Sequence, residues 1–424
     1  MTRLSFFASV AACALLSACD IPSGAGAPYS AASDLAASPV VEPALAEAAF
    51  DASPVRATGN AGFPRAGVVT AGDIDDGRNF AAFQRYLARA SADHGLPQAR
   101  FGAPVMAQVT GWRGLPEPGV RYTLRLPGAA DPFYEGYSGV DGQVMVFPAA
   151  LGAGNPAKVE LRAFPDTGGM VTQTLTPGRR DRVEVYTRTG WQPDFLDLVL
   201  VVDTTGSMGD ELAWLTRELS GVIDAARASA PGVDIRYGLV VYRDIGDDYV
   251  VRNFGFTANQ ARMRGWLAAQ RADGGGDYPE AAADALAGAM ALDWRRGKGE
   301  RLVLHVADAP PHQGDMRAYL AQAERAAAQG VQIFTLGASG VGPQAEAMMR
   351  QASVLTNGRY LFLTDDSGVG LDHGEPTVPC YRVTRLTGLM SRVLASELTG
   401  RRIEAGAGDV LREVGTYQAG ICRD

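Results

Sequence analysis

The 424-residue sequence predicts an α/β protein: a doubly wound, mostly parallel sheet preceded by a small antiparallel β-sandwich. Three observations lead there. From Leu196 onward, the apolar runs FLDLVLVVD, IRYGLVVYRD, LVLHVAD, VQIFTLGA and RYLFLTD alternate with helical stretches of about 10–20 residues, the pattern of parallel strands joined by crossover helices. Between residues 103 and 188, short alternating runs are separated by Gly, Pro and Asp turns with no helical stretch between them, as in a sandwich. A composition of 46% hydrophobic and 20% charged residues is that of a folded, globular chain.

Taken in order, residues 1–18 read as an export signal. Arg3 starts it, Leu4–Leu16 is apolar but shorter than the roughly 20 residues a bilayer span needs, and Leu16-Ser17-Ala18-Cys19 follows. That tetrad resembles a bacterial lipobox, which implies lipidation at Cys19 and a lipoprotein of the bacterial cell envelope. Asp20 biases retention at the inner membrane in some bacteria, and the choice of membrane stays open. Residues 19–62, rich in Ala, Ser, Pro and Gly, read as a tether. Residues 63–102 read as a helical linker, because Phe80, Phe83, Tyr86 and Leu87 in Asp73–His94 fall at helical spacing. Asp73-Ile74-Asp75-Asp76-Gly77 has the look of half a calcium loop. It lacks an acid at the fifth position, and Gln84 stands where the closing Glu belongs, so it reads as a turn leading into the helix.

Residues 103–190 form the expected sandwich, from VMAQVTGW, VRYTLRLP, GQVMVFPA, AKVELRAF and DRVEVYTR. The run VTG…GLPEPGVRYTL…YSGVDGQVMVF resembles carboxypeptidase-regulatory-like and other immunoglobulin-like domains, which implies a spacer or adhesive module. In residues 194–399, helices are expected at Met208–Ala228, around 259–270 and 279–292, at 316–328 and 343–354, and over 381–398, leaving 400–424 as a tail. Of the four cysteines, Cys13 leaves with the signal and Cys19 takes lipid. Cys380 and Cys422 are then two thiols in an oxidising compartment, where they invite a disulfide.

Net charge is −8, and Lys158 and Lys298 are the only lysines. Without a basic run, nucleic-acid binding has no electrostatic support. In doubly wound sheets ligands bind at the carboxyl ends of the strands. Three segments there concentrate oxygen: Asp203-Thr204-Thr205-Gly206-Ser207, Gly274–Glu280, and Asp308 after LVLHVA. Asp203, Thr205, Ser207, Glu280 and Asp308 offer hydroxyls and carboxylates with no His or Cys, a set suited to a hard divalent cation, Mg²⁺, Mn²⁺ or Ca²⁺.

Asp-x-Thr-Gly-Ser-Met after a buried strand resembles the metal-ion-dependent adhesion site of von Willebrand factor type A domains, written Asp-x-Ser-x-Ser. Asp308 matches that family's later strand-end Asp. Asp277-Tyr278-Pro279-Glu280 is similar to the Asp-x-Pro-Glu of integrin β-subunit domains, where the Glu coordinates the adhesion-site metal. The resemblance implies a Rossmann-like type A fold over 194–399 and five metal ligands, Asp203, Thr205, Ser207, Glu280 and Asp308. It also implies a flanking cation near Asp210 and Glu211. Thr205 replaces the first Ser. Gly275 stands where the integrin pattern has an Asn that serves a further cation near Asp277. Such domains bind, without catalysis, an acidic side chain of a protein partner that completes the cation's coordination.

Duller readings stand beside these. Thr205, Ser207 and Asp210 could cap the following helix. Asp277 and Glu280 could complement a helix dipole. Asp244, Asp247 and Asp248 read as a solvated loop, and His312 as a rim residue outside the ligand set. The alternative from another class is a Mg²⁺-dependent phosphoaspartate-type hydrolase with Asp203 as nucleophile. Its usual motif Lys is Thr204 here, so Lys298 would have to serve.

Overall fold

The computed structural model describes residues 69–187, 191–367 and 375–423. The signal, the tether and Cys19 lie outside the described residues. The first described strand, β1 (Thr70–Ile74), is followed by α1 (Phe80–His94), which buries Phe80, Phe83, Tyr86, Leu87 and Ala90 on one face. The helix ends at Gly95, whose φ of 63° is the left-handed stop that glycine adopts without strain.

The sandwich holds β2 (Val105–Thr110), β3 (Arg121–Arg125), β4 (Tyr134–Tyr137), β5 (Gln143–Val146), β6 (Val159–Phe164), β7 (Val171–Leu175) and β8 (Arg180–Glu184). Its two sheets run β5-β2-β8 and β4-β3-β6-β7. Valines and leucines from alternate positions, among them Val105, Val109, Leu124, Leu161 and Val183, make its core. The expectation of a purely antiparallel sandwich is corrected at one pair, since β2 and β8 run parallel. Short β4 and β7 carry too few apolar residues to stand out in sequence: burial along β7 reaches only Leu175.

The large sheet begins with β9 (Phe195–Asp203), buried at every position, as a central parallel strand must be. It continues through α2 (Gly209–Ser229), β10 (Asp234–Tyr242), β11 (Val251–Thr257), α3 (Gln260–Ala268) and α4 (Ala282–Met290). Then come β12 (Gly299–Ala307), α5 (Met316–Gln329), β13 (Gln332–Gly337), α6 (Pro343–Leu355) and β14 (Tyr360–Leu363). The chain closes with β15 (Tyr381–Arg385), α7 (Leu386–Thr399), β16 (Arg412–Val414) and the hairpin β17 (Thr416–Gln418) and β18 (Ile421–Arg423). Nine strands form one sheet in the order β11-β10-β9-β12-β13-β14-β1-β15-β16. The five from β10 to β14 are parallel, and the outer ones join antiparallel. One apolar cluster packs α1, α4, α5 and α6 on one face, and another packs α2, α3 and α7 on the other, which makes the doubly wound layering explicit.

Three segment expectations change. The "helical linker" 63–102 contributes β1 to the middle of the sheet, paired with β14 and β15. Its acids are neutralised within the fold. Arg350 forms two 2.8 Å bonds to Asp76, Arg402 reaches Asp75 at 2.9 Å, and Arg359 lies 3.4 Å from Asp73. The start of the helix expected over 381–398 is strand β15, because Tyr381-Arg-Val-Thr-Arg has the β-branched alternation that pairs with β1. The "tail" 400–424 supplies β16 and a hairpin fastened by a Cys380–Cys422 disulfide with Cα atoms 5.4 Å apart. Asn79 also bonds Gly420 and Cys422.

Candidate functional site

The carboxyl ends of β9, β10 and β12 meet at one edge of the sheet. Asp203 is the last residue of β9 and the register partner of Tyr242 on β10; Asp308 directly follows β12. Asp203 is fully buried, and its Oδ1 accepts from the Thr205 amide at 2.8 Å and the Thr205 hydroxyl at 2.7 Å. Its Oδ2 has no hydrogen-bond partner among the described residues. Ser207 sits exposed one turn on and donates to Asp308.

The loop before α4 closes the site. Asp273 N donates to Thr204 O and Gly206 N to Gly274 O, so the two segments lie side by side. Gly275 adopts φ +73°, and a Cβ there would come 3.1 Å from Glu280 Oε1 and 3.3 Å from Thr205 Cβ. Only glycine therefore lets the loop approach this closely. Glu280 is held by its amide bond to Pro310 O; its side chain is buried and Oε2 is unpartnered among the described residues.

The electrostatics follow from this crowding. Burial, then the neighbouring Asp308, pushes the Asp203 carboxyl up to about 7. Burial, then Asp203, Asp244, Asp308 and Asp247, pushes Glu280 up to about 9. Burial raises Asp308, with Ser207 pulling the other way. No lysine or arginine figures among the main groups acting on these three carboxyls. Two buried carboxylate oxygens lacking a donor, beside further acids and two hydroxyls, make a place short of positive charge. Among the described residues no three acid, imidazole or thiol groups form a ready-made cage. The hydroxyls of Thr205 and Ser207 are thus needed to complete any donor set for a hard cation.

The structure brings Asp203, Thr205, Ser207, Glu280 and Asp308 to one place. It does not assemble the flanking pair: Glu211 accepts from Ser339 N and Oγ, tying α2 to the loop after β13, and Asp210 is exposed beside it. Asp277 is exposed, while Tyr278 pins the loop by donating to Asp308 O and accepting from Gly342 N. The capping reading fails, since neither the turn at Gly206–Met208 nor α2 has a side-chain cap. Likewise α4 starts at Ala282, beyond Glu280.

Sequence reasoning missed the supporting ring. Asp247 accepts from Gly275 N, and Asp244 is buried and bonds His312 at 2.5 Å, so these two are tied to the site's edge, while Asp248 is exposed as expected of a solvated loop. Thr204 bonds Tyr242 O and Tyr249 Oη, tying the motif to β10 and the loop after it. Nothing local in the sequence marks these pairings. Lys298 is at the opposite edge, preceding β12 and paired with Asp166. Level with Asp194, it stands about 30 Å from Asp203 at ~3.3 Å per strand residue, so it cannot serve a phosphoaspartate there.

A three-layer α/β domain with an oxygen-lined site at the carboxyl edge is the class that fold and site define. Residues 197–368 match the family model described as von Willebrand factor A domain. An ariadne-like RING finger protein of Acanthamoeba polyphaga mimivirus is 32% identical over 117 residues, 28% of this chain and 11% of that protein. The alpha-protein kinase vwkA of Dictyostelium discoideum is 26% identical over 138 residues, 32% of this chain and 21% of that protein. The chain thus spans between a tenth and about a fifth of the length of these curated relatives. The crystal structure of BatB from Bacteroides thetaiotaomicron is similar over 42% of this chain and 91% of that chain, at 16% identity and a TM-score of 0.31.

Proposed function

We propose that this protein is a non-catalytic, lipid-anchored protein of the bacterial cell envelope whose type A domain binds an acidic group of a protein partner through a divalent cation. One observation carries the reading: Asp203 Oδ2 and Glu280 Oε2 are buried acceptors without donors among the described residues, and no lysine or arginine is among the main groups acting on either carboxyl. Asp203, Thr205, Ser207, Glu280 and Asp308 would hold the cation, Mg²⁺, Mn²⁺ or Ca²⁺. When bound, it would supply an open coordination position for the partner's carboxylate. Without it, the carboxylates here would repel that group.

The envelope assignment rests on the Leu16–Cys19 motif, and the Cys380–Cys422 disulfide supports an oxidising compartment. Anchoring through Cys19 would place the domain at a membrane surface.

Calorimetry tests the metal step. Asp203→Ala abolishes measurable Mg²⁺ and Mn²⁺ binding while circular dichroism stays native; unchanged affinity would refute the reading. Capture of partners from envelope extracts should disappear with EDTA and with Asp203→Ala. Phosphatase turnover lost on Asp203→Asn would instead favour a hydrolase.

A further inference from the structure

Behind Asp203, on the side away from solvent, lie three buried polar side chains: Tyr242 on β10, His305 on β12 and Tyr319 on α5. His305 Nε2 is 3.0 Å from the Tyr242 hydroxyl, and Nδ1 is 3.2 Å from the Tyr319 hydroxyl. Burial pushes the imidazole down to about 3, so it is neutral and carries one N–H. Both phenols are pushed up by burial and stay protonated.

Three groups in a row with one N–H and two O–H bonds allow two arrangements. If Nδ1 carried the proton, it would donate to Tyr319, whose own O–H would then have no acceptor, since its one hydrogen bond among the described residues is to His305. Nε2 would then take the Tyr242 proton, turning it away from Asp203. If Nε2 carries the proton, Tyr319 donates to Nδ1, Nε2–H donates to the Tyr242 oxygen, and the Tyr242 O–H is free to point elsewhere. Tyr242 is the register neighbour of Asp203 on the adjacent parallel strand and is among the groups that pull that carboxyl's raised pKa back down. Asp203 Oδ2 has no full hydrogen bond of its own among the described residues. The second arrangement leaves the Tyr242 proton for the Asp203 carboxyl on the neighbouring strand, whereas the first strands the Tyr319 proton in a dry interior.

We infer that His305 is a positioning residue for the site: as its Nε2–H tautomer it holds the Tyr242 hydroxyl so that the phenolic proton faces Asp203. Oδ1 of Asp203 is then fixed by Thr205 and the carboxyl lies beside a fixed dipole, so the carboxylate is oriented before any ligand arrives. The bearing of this relay on cation binding rests on the function proposed above; the tautomer does not.

Two experiments separate them. In the full chain labelled with ¹⁵N-histidine, long-range ¹H–¹⁵N spectra distinguish the four histidines, with His305→Gln giving the assignment. His305 should show a protonated Nε2 and a bare Nδ1, unchanged between about pH 5 and 8. A protonated Nδ1, or titration in that range, would overturn the inference. Mn²⁺ titrations supply the functional readout. Tyr242→Phe and His305→Phe lower affinity on the order of tenfold, the loss of one hydrogen bond to a charged group. His305→Gln, whose amide N–H can still donate to Tyr242, stays within about threefold. Equal losses for His305→Gln and His305→Phe, with both folded, would reduce His305 to packing. Wild-type protein that binds no Mn²⁺ would sink the proposed function, and the spectra would still decide the tautomer.

Discussion

At the level of single residues, Asp203 and Glu280 share one feature that the proposed function turns to use. Each keeps one carboxylate oxygen buried without a donor. Glu280, pushed up to about 9, is a protonated acid near neutrality, and glutamine is its close mimic. Glu280→Gln should therefore leave stability at pH 7 within about 0.5 kcal/mol while lowering Mn²⁺ affinity at least tenfold, about 1.4 kcal/mol. Denaturant melts and calorimetry on one sample check both halves, and an affinity equal to wild type would remove Glu280 from the ligand set. These residues stood out in the sequence because each sits in a short motif, Asp203 at the end of β9 and Glu280 in the loop before α4. Tyr242 and His305 did not: on alternating buried strands they look like core residues, and only the register of β9, β10 and β12 brings them behind Asp203. Asp244 was misread for the same reason, since its partner His312 is 68 residues away.

Among the elements, the helices and central parallel strands could be read because their periods, 3.6 and near-continuous apolar, are strong. The strands that escaped notice are the antiparallel ones. β11 is an exposed edge strand interrupted by Asn253 and Gly255. β1, Thr-Ala-Gly-Asp-Ile, has too little apolar alternation to announce itself. Its neighbours make it a strand, and arginines from distant helices and loops make its acids tolerable. Asp76 illustrates the energetics: Arg350 is fully buried and meets Asp76 through two bonds and Glu346 through a third. Asp76→Ala strips one partner from a buried cation and should cost about 3–5 kcal/mol. Urea unfolding measures it; a loss under about 1 kcal/mol would mean that Glu346 alone satisfies Arg350.

For the whole molecule, the raised carboxyls predict a pH dependence of definite sign. Asp203 at about 7 and Glu280 at about 9 hold protons in the native state that the unfolded chain releases near pH 4. Between those limits the native state binds more protons, so the stability contributed by these groups falls as pH rises from about 4 to 9. Under the proposed function, a divalent cation taken up by the deprotonated site would offset that fall. The rise in Tm on adding Mg²⁺ should thus be small near pH 5 and grow toward pH 8, and it should vanish in Asp203→Ala. A shift independent of pH would mean that the cation acts elsewhere.

The place of β1 between β14 and β15 also sets an order of events during synthesis. Residues 70–74 leave the ribosome nearly 290 residues before their first strand partner exists. At roughly 5–20 residues per second, that is about a quarter of a minute to a minute of waiting. Through that interval β1 is a strand without a sheet, and β14, once made, is an open edge until β1 docks. A fragment spanning only 194–399 lacks β1 and would keep that seam open permanently. Such a fragment should aggregate where the longer chain 69–423 stays monomeric.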